Sequence, residues 1–318
     1  MKLSVCIPVY GVEKYIERCA RSLFSQTIKD GIEFIFVDDC TPDNSISVVK
    51  RVLRDYPLRR EGVVLLRHER NRGLAAARQT AMRVARGVWI GHCDSDDWVD
   101  ADYYEKMLVV GEREKADMVY TSFLCEFEDG VSQKVEVPVY TVGYEFAMNA
   151  CPGDGFNAMW NKIYLRERAL DADIEICDHV SLGEDLMYSA QAVAKCGRIA
   201  YCGDVAYHYR QNGASITSKR QGEKRVADLC TIYDLLQRRL TDRQFRGAKD
   251  RLCRDILLAA IRFSAMSSAE FAAWRSRLES AILSDRRHGI GKKGILAIAS
   301  VSYPLACSLA RLIGRSAL

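Results

Sequence analysis

The sequence predicts an α/β fold with a mixed, mostly parallel sheet and a helical C-terminal extension. Three observations carry this reading. Short apolar runs alternate with segments of helical period through the first third of the 318 residues, acidic pairs fall where strands end, and the region beyond residue 221 shows helical periodicity alone. Strand–helix alternation implies right-handed crossovers and parallel pairing. Ligands of such sheets sit at the carboxyl ends of the strands.

The elements follow in order. LSVCIPV (3–9) reads as a strand, and 13–27 then places Ile16, Cys19, Ala20, Leu23 and Phe24 at helical spacing. IEFIFVDD (32–39) is a second strand. Thr41, Pro42, Asp43 and Asn44 supply turn and capping chemistry before a helix with Ile46, Val49, Val52 and Leu53, which Pro57 closes. A third strand at 62–68 passes through Asn71, Arg72 and Gly73 into a helix reaching about Arg86, and VWIGHCD is a fourth strand ending on Asp94. A helix at 101–116 precedes a strand at 118–127, an Asp129–Gly130 turn and a return strand at 131–140, so the sheet is read as mixed. Residues 184–196 read as a helix, 198–210 as one or two strands, and 221–284 as two or three helices. The domain division expected from this is 1–218 for the α/β body and 219–318 for the helical region.

Hydrophobic residues at 48% and charged residues at 28% exclude collagenous and wholly disordered classes. The twelve cysteines are scattered with no CxxC or Cys/His ligand pair, which reads as a reduced, cytosolic protein using Cys as a small apolar residue. Nothing at the N-terminus resembles a secretory signal, so the protein is expected to stay inside the cell. The net charge is +4, yet residues 286–318 hold six basic side chains and no acid, leaving −2 on the remainder. A basic tail on a slightly acidic body suits an anionic surface better than a nucleic-acid groove. Residues 295–310 are uncharged, are flanked by Lys292 and Lys293 on one side and Arg311 and Arg315 on the other, and contain Pro304. They are shorter than the ~20 residues a spanning helix needs. Two readings stay open: an anchor lying on a membrane surface at the inner face of the cell membrane, or a helix packed on protein.

The stretch Asp94, Ser95, Asp96 and Asp97 carries the sharpest chemical signal. Two carboxylates separated by one residue after a strand can divide their work, one toward a ribose or phosphate and the other toward a divalent metal, Mn2+ or Mg2+. Solvated Asp-rich turns have the same pattern, so the triplet needs company.

That company comes from blocks in order: SVCIPVYGVEKYIERCARSLFSQT, FIFVDDCTPDNS, NRGLAAARQTAM, WIGHCDSDDW, MWNKIY, GEDLMYS and YHYRQNGAS. From Leu3 to about Gln211 the chain resembles the family 2 glycosyltransferases, inverting enzymes of GT-A (Rossmann-like) fold common in bacterial polysaccharide synthesis. The resemblance implies hexosyl or other glycosyl transfer from a nucleotide diphosphate sugar, expected to be a uridine one, to a saccharide or lipid-linked saccharide. It places Pro8, Val9 and Tyr10 beside the nucleotide, Asp39 on the base, and Arg78, Asp94, Ser95 and Lys162 in the nucleotide-sugar site. Asp38 is ambiguous, and Trp160 either stacks on a sugar or fills the core. The resemblance makes Asp185 the base, with Glu184 positioning the acceptor or its neighbours, and Asp96, Asp94 and His208 the metal ligands, with Asp97 as structural support. Arg210 and Ser215, with Lys219 and Arg220, are expected to help hold the diphosphate. Gly11 stands where many relatives carry Asn. Two further readings compete, a nucleotidyltransferase acting on sugar phosphates and a noncatalytic nucleotide-sugar-binding subunit. A nucleic-acid partner is not expected.

Overall fold

The computed structural model describes residues 1–143, 145, 157–177, 180, 182–203, 207–211, 222–278 and 290–312. In chain order the body runs β1 (Leu3–Val9), α1 (Ile16–Phe24), β2 (Ile32–Asp38), α2 (Ser45–Leu53), β3 (Val63–Arg67), α3 (Leu74–Val84), β4 (Trp89–His92), β5 (Trp98–Val99), α4 (Tyr103–Glu114), β6 (Met118–Tyr120), β7 (Phe123–Glu126), β8 (Ser132–Val135), β9 (Lys162–Leu165), α5 (Glu184–Ala194), β10 (Ile199–Tyr201) and β11 (Tyr207–Arg210). The larger sheet has the order β10-β6-β9-β4-β1-β2-β3. Only β9 runs against its neighbours, pairing antiparallel with both β4 and β6, so the fold is α/β with a mixed, mostly parallel sheet.

Every residue of β1 and β2 is buried. Their near-continuous apolar runs, in place of an alternating pattern, are what a parallel strand covered on both faces requires. α1 buries Ile16, Cys19, Ala20, Leu23 and Phe24, the stripe expected from the spacing, and packs on α2, while α3 lies on β1 and β2. Glu33, the fully buried acid of β2, is neutralised in place: Arg86 donates to Oε2 from Nε and Nη2 at 2.9 and 2.7 Å, and Ser4 Oγ donates to Oε1 at 2.6 Å. Satisfying all of these groups is what makes a charge tolerable there.

The strand expected over 118–127 is two strands in different sheets. At Thr121 the ladder is interrupted, because Asn161 Nδ2 donates to the Thr121 carbonyl (2.9 Å) and Thr121 N donates to the Asn161 carbonyl (3.1 Å). The chain then enters a second sheet of order β5-β11-β7-β8. The return strand expected over 131–140 is only the four residues of β8.

Beyond the sheets come α6 (Gly222–Arg239), α7 (Arg246–Phe263), α8 (Ser268–Arg275), α9 (Ile290–Val301) and α10 (Tyr303–Leu312). α6 packs on α5 and on α7, which ties the helical region to the element carrying Glu184 and Asp185. α8 starts with a capping box in which Ser267 and Glu270 satisfy each other's backbone N–H. The uncharged stretch of the tail is broken at Ser302 between α9 and α10. Pro304 has no N–H to offer, so a regular helix is interrupted there. Among the described residues no helix is long and apolar enough to cross a membrane, and no disulfide joins two cysteines.

Candidate functional site

The first strand ends meet loops rather than open solvent. Val9 accepts from Asp39 N at 3.0 Å, and Gly11, at φ 68°, donates its N–H to Thr41 Oγ1 at 2.8 Å. Pro8 and Val9 are buried, and Tyr10 is exposed at the mouth so formed. Asp38 accepts from Thr41 N at 2.8 Å and faces Arg67 Nε at 3.4 Å. Asp39 is buried, and its carboxylate accepts from Arg72 N and Gly73 N, both at 2.8 Å, with His68 Nδ1 at 2.6 Å. In this geometry Asp39 orders the loop that leads through Gly73 (φ 87°) into α3.

The centre of the site is Arg78 on α3. It is 2% exposed, and its guanidinium joins three carboxylates from distant parts of the chain. Nη2 donates to Asp94 Oδ1 at 2.7 Å, and Nη1 donates to Glu184 Oε1 at 3.0 Å and to Asp185 Oδ1. Glu184 and Asp185 open α5. Gly183 before them takes φ 89°, and a Cβ there would also lie 2.9 Å from Ile232 Cδ1, so glycine permits both the turn and the close approach of α6. One cation facing three acids leaves the cluster net negative in a dry setting. Burial and the Asp185 charge push Glu184 up to about 8. Burial also raises Asp185, against the pull of Arg78. Glu184 is therefore the protonated member of the pair near pH 7. Asp185 is the more open of the two, with 22% of its side chain exposed against 12%.

Asp94 and Asp96 are partly exposed, while Ser95 and Asp97 are buried. Asp97 accepts from Tyr207 Oη (2.8 Å) and Arg210 N (2.8 Å), and Tyr207 Oη accepts from Asp94 N (3.0 Å). β11 thus fixes the acidic turn from the second sheet. Arg210 also donates through Nε to the Asp96 carbonyl at 3.0 Å, and its guanidinium lies near the Tyr15 and Trp98 rings. Burial and then the charges of Asp96 and Asp94 push the Asp97 carboxyl well above the usual range, a sign of concentrated negative potential. Two oxygen-donor carboxylates in such a field fit a divalent cation whose remaining ligands are phosphate and water.

The ring of His208, the third ligand expected, is engaged by other side chains. Nδ1 is 2.6 Å from Glu126 Oε1, Nε2 is 3.1 Å from Asp100 Oδ1, and the ring stacks on Trp98 with centroids 5.0 Å apart. Among the described residues no group of three or more His, Cys, Asp or Glu side chains could hold a metal ion. Trp160 stacks between ring neighbours in the interior, 4.4 Å from Tyr207 and 5.2 Å from Tyr209, so packing is the alternative its position supports. Lys162 is buried as well; its ammonium donates to the Asn161 side chain at 2.7 Å and to the Ala158 carbonyl at 2.5 Å, and burial pushes it down to about 7. Ser215, Lys219 and Arg220 lie outside the described residues. Sequence reasoning missed Tyr207 as organiser of the acidic turn, and Glu126 and Asp100 as the partners of His208. It also missed His92, buried beside Arg78 with neither ring nitrogen partnered and held neutral by burial and that cation. A pattern read along the chain holds no signal for contacts spanning 82 to 113 residues.

The model of the family described as Glycosyl transferase family 2 matches residues 4–177. EpsJ of Bacillus subtilis (strain 168), described as an uncharacterized glycosyltransferase, is 29% identical over 221 residues, covering 68% of this chain and 62% of EpsJ. EpsH of the same organism, a putative glycosyltransferase, is 30% identical over 227 residues, covering 69% of this chain and 63% of EpsH. The chain thus spans less than two thirds of the length of these relatives. The crystal structure of S. aureus TarS 1-349 in complex with UDP-GlcNAc superposes with a TM-score of 0.64 at 18% identity, covering 96% of this chain and 92% of that one, which establishes a common GT-A fold. With the family model spanning more than half of the sequence, the chain belongs to glycosyltransferase family 2.

Proposed function

We propose that this protein transfers a sugar from a nucleotide diphosphate donor, a uridine one, to a saccharide or lipid-linked saccharide with inversion, in cell-surface polysaccharide synthesis. The observation that carries the reading is the Arg78 bridge, which joins a carboxylate at the end of β4 to the acidic pair opening α5. The nucleotide-binding edge of the sheet and a candidate base are thereby held on one guanidinium.

The donor lies over the ends of β1 and β4, with its base and ribose near Tyr10 and the loop that Asp39 orders. Its diphosphate lies toward Ser95 and Arg210. Asp96, with Asp94, would hold Mn2+ or Mg2+, and His208 is left out of the ligand set because Glu126 and Asp100 occupy its ring. When bound, such a cation offsets charge on the leaving diphosphate as a Lewis acid. Asp185 takes the proton of the acceptor hydroxyl as that oxygen attacks the anomeric carbon from the face opposite the nucleotide. Arg78 fixes the direction of the Asp185 carboxylate, and the protonated Glu184 beside it keeps a second negative charge from the pair.

A mass-spectrometric screen of nucleotide sugars for hydrolysis or transfer with Mn2+ tests the reading. Turnover that survives Asp96→Ala undiminished overturns the metal assignment, and Asp185→Asn is expected to abolish transfer while leaving donor affinity nearly intact. Pyrophosphate released from a sugar 1-phosphate and a nucleoside triphosphate would instead identify a nucleotidyltransferase. Donor binding without turnover, even with pooled lipid-linked acceptors, would identify a binding subunit.

A further inference from the structure

The α9–α10 pair has two unlike faces. Its inner face, with Leu296, Ala299, Tyr303 and Ala306, is buried mainly against α7. Tyr303 anchors it: the hydroxyl donates to the Ala260 carbonyl at 2.9 Å and accepts from Met266 N at 3.2 Å, and the ring stacks on Phe271 at 4.6 Å. The outer face is open, with Val301 92%, Leu312 81% and Leu305 53% exposed, and Ala297 and Pro304 exposed between them. Val301 and Leu305, four residues apart, flank the break at Ser302, so the open apolar side chains gather around the junction of the two helices. Lys292 and Lys293 in the first turn of α9 and Arg311 near the end of α10 border that face, and no acid occurs anywhere in 286–318.

We infer that this face docks on an anionic lipid surface, with the helices lying in the plane of the interface and Val301, Leu305 and Leu312 entering the headgroup–acyl boundary. Charge decides between occupants. A second copy meeting the same patch through a two-fold axis would set these cations against their own kind, with no acid of 286–318 to receive them. An anionic leaflet supplies the missing charge across the whole face, and exposed apolar side chains bordered by Lys and Arg are what an interfacial helix requires. Tyr303 and its partners hold the inner face on the body, so docking would use the structure as folded. The two readings left open by the sequence are thereby reconciled, one face packing on protein and the other facing lipid. The inference does not depend on the chemistry proposed for the cleft.

The test is co-sedimentation of the full chain with phosphatidylcholine vesicles, with and without about 30 mol% phosphatidylglycerol. Binding is expected only with the anionic lipid, and to weaken as salt rises from about 0.1 to 0.5 M. The double variant Val301→Glu/Leu305→Glu should lose at least about tenfold in vesicle affinity, and Lys292→Glu/Lys293→Glu should fall similarly, each with an unchanged melting curve and unchanged activity in solution. Equal binding to neutral and anionic vesicles, or retention by the Glu/Glu variant, overturns the inference. Light scattering that shows a concentration-dependent dimer abolished by Val301→Glu/Leu305→Glu assigns the face to a second copy instead and overturns it equally.

Discussion

Arg78→Met removes, at nearly constant volume, the one side chain among the described residues that donates to Asp94, Glu184 and Asp185 together. The three carboxylates would then face one another in a site from which water is largely excluded. Breaking a buried ionic group by removing one partner costs about 3–5 kcal/mol, chiefly because the charge left behind is uncompensated. With an unfolding entropy of roughly 2 cal/mol/K per residue, the 318-residue chain loses about 4–8 °C in Tm for that deficit. The sign of the pH dependence is fixed by the same cluster. Glu184 and Asp185 already titrate above their ordinary range in the folded protein, and loss of the cation raises them further. The folded state then binds more protons than the unfolded chain, so stability falls as pH rises. The deficit of Arg78→Met is therefore expected to be smaller near pH 5, where Glu184 is protonated, and full above about pH 8, where it is charged. Calorimetric melts of both proteins at pH 5, 7 and 8.5 measure this, with Arg78→Lys as the control that keeps the charge and loses the fork. A melting point within a degree of the parent at pH 8.5, or a deficit equal at pH 5 and pH 8.5, would refute the picture of one guanidinium compensating three acids.

Asp39→Asn turns an acceptor of two backbone N–H groups into a side chain that must present a donor to one of them. It is expected to cost roughly 1–3 kcal/mol, to speed hydrogen exchange at the Arg72 and Gly73 amides and to raise KM for the donor; unchanged exchange there would count against a loop-ordering role. Tyr207→Phe deletes the hydroxyl between Asp97 and Asp94 N, and should lower kcat and cost about 1–2 kcal/mol by urea titration, whereas an unchanged kcat would show that the acidic turn holds its shape without it. Glu184→Gln mimics the protonated acid. Because Glu184 titrates at about 8, kcat/KM of the parent should fall above that pH as a second charge enters the pair, and in Glu184→Gln this alkaline decline should vanish while the acid limb set by Asp185 remains. An alkaline limb that persists in the variant assigns it to another group.

How much of this was legible before the structure depends on the range of the interaction. β1, β2 and α1 were readable because a doubly covered parallel strand and an amphipathic helix each write their burial into consecutive residues: LSVCIPV in one case, Ile16 through Phe24 in the other. The break at Thr121 was not, since it depends on Asn161, forty residues away, reaching the Thr121 carbonyl. The acidic residues of the site stood out because each follows a strand or opens a helix. What holds them did not stand out. Arg78 on α3 looked like one more basic residue near a nucleotide, and only the fold brings it against Glu184 and Asp185, more than a hundred positions later. His208 shows the converse. Its setting in YHYR made it a ligand candidate, but the antiparallel pairing of β11 with β5 sets its ring on Trp98, between Asp100 and Glu126.

The Arg78 cluster also bears on what the site is poised to do. A buried ion network of this kind is weak evidence for stability, since apolar residues of similar volume often serve as well. Its retention needs another reason, and the charge balance supplies one. Three acids on one cation leave the cleft short of positive charge, with the Asp97 carboxyl pushed well above its usual range by burial and its acidic neighbours, and Glu184 pushed up to about 8. A cation arriving at Asp94 and Asp96 would relieve that field and draw Asp94 away from Arg78, leaving the guanidinium more fully to Asp185. Donor-side occupancy would then strengthen the hold on the base, so order of binding becomes a consequence of electrostatics. Acceptor affinity should accordingly rise when nucleotide and metal are present, and this coupling should be lost in Arg78→Met.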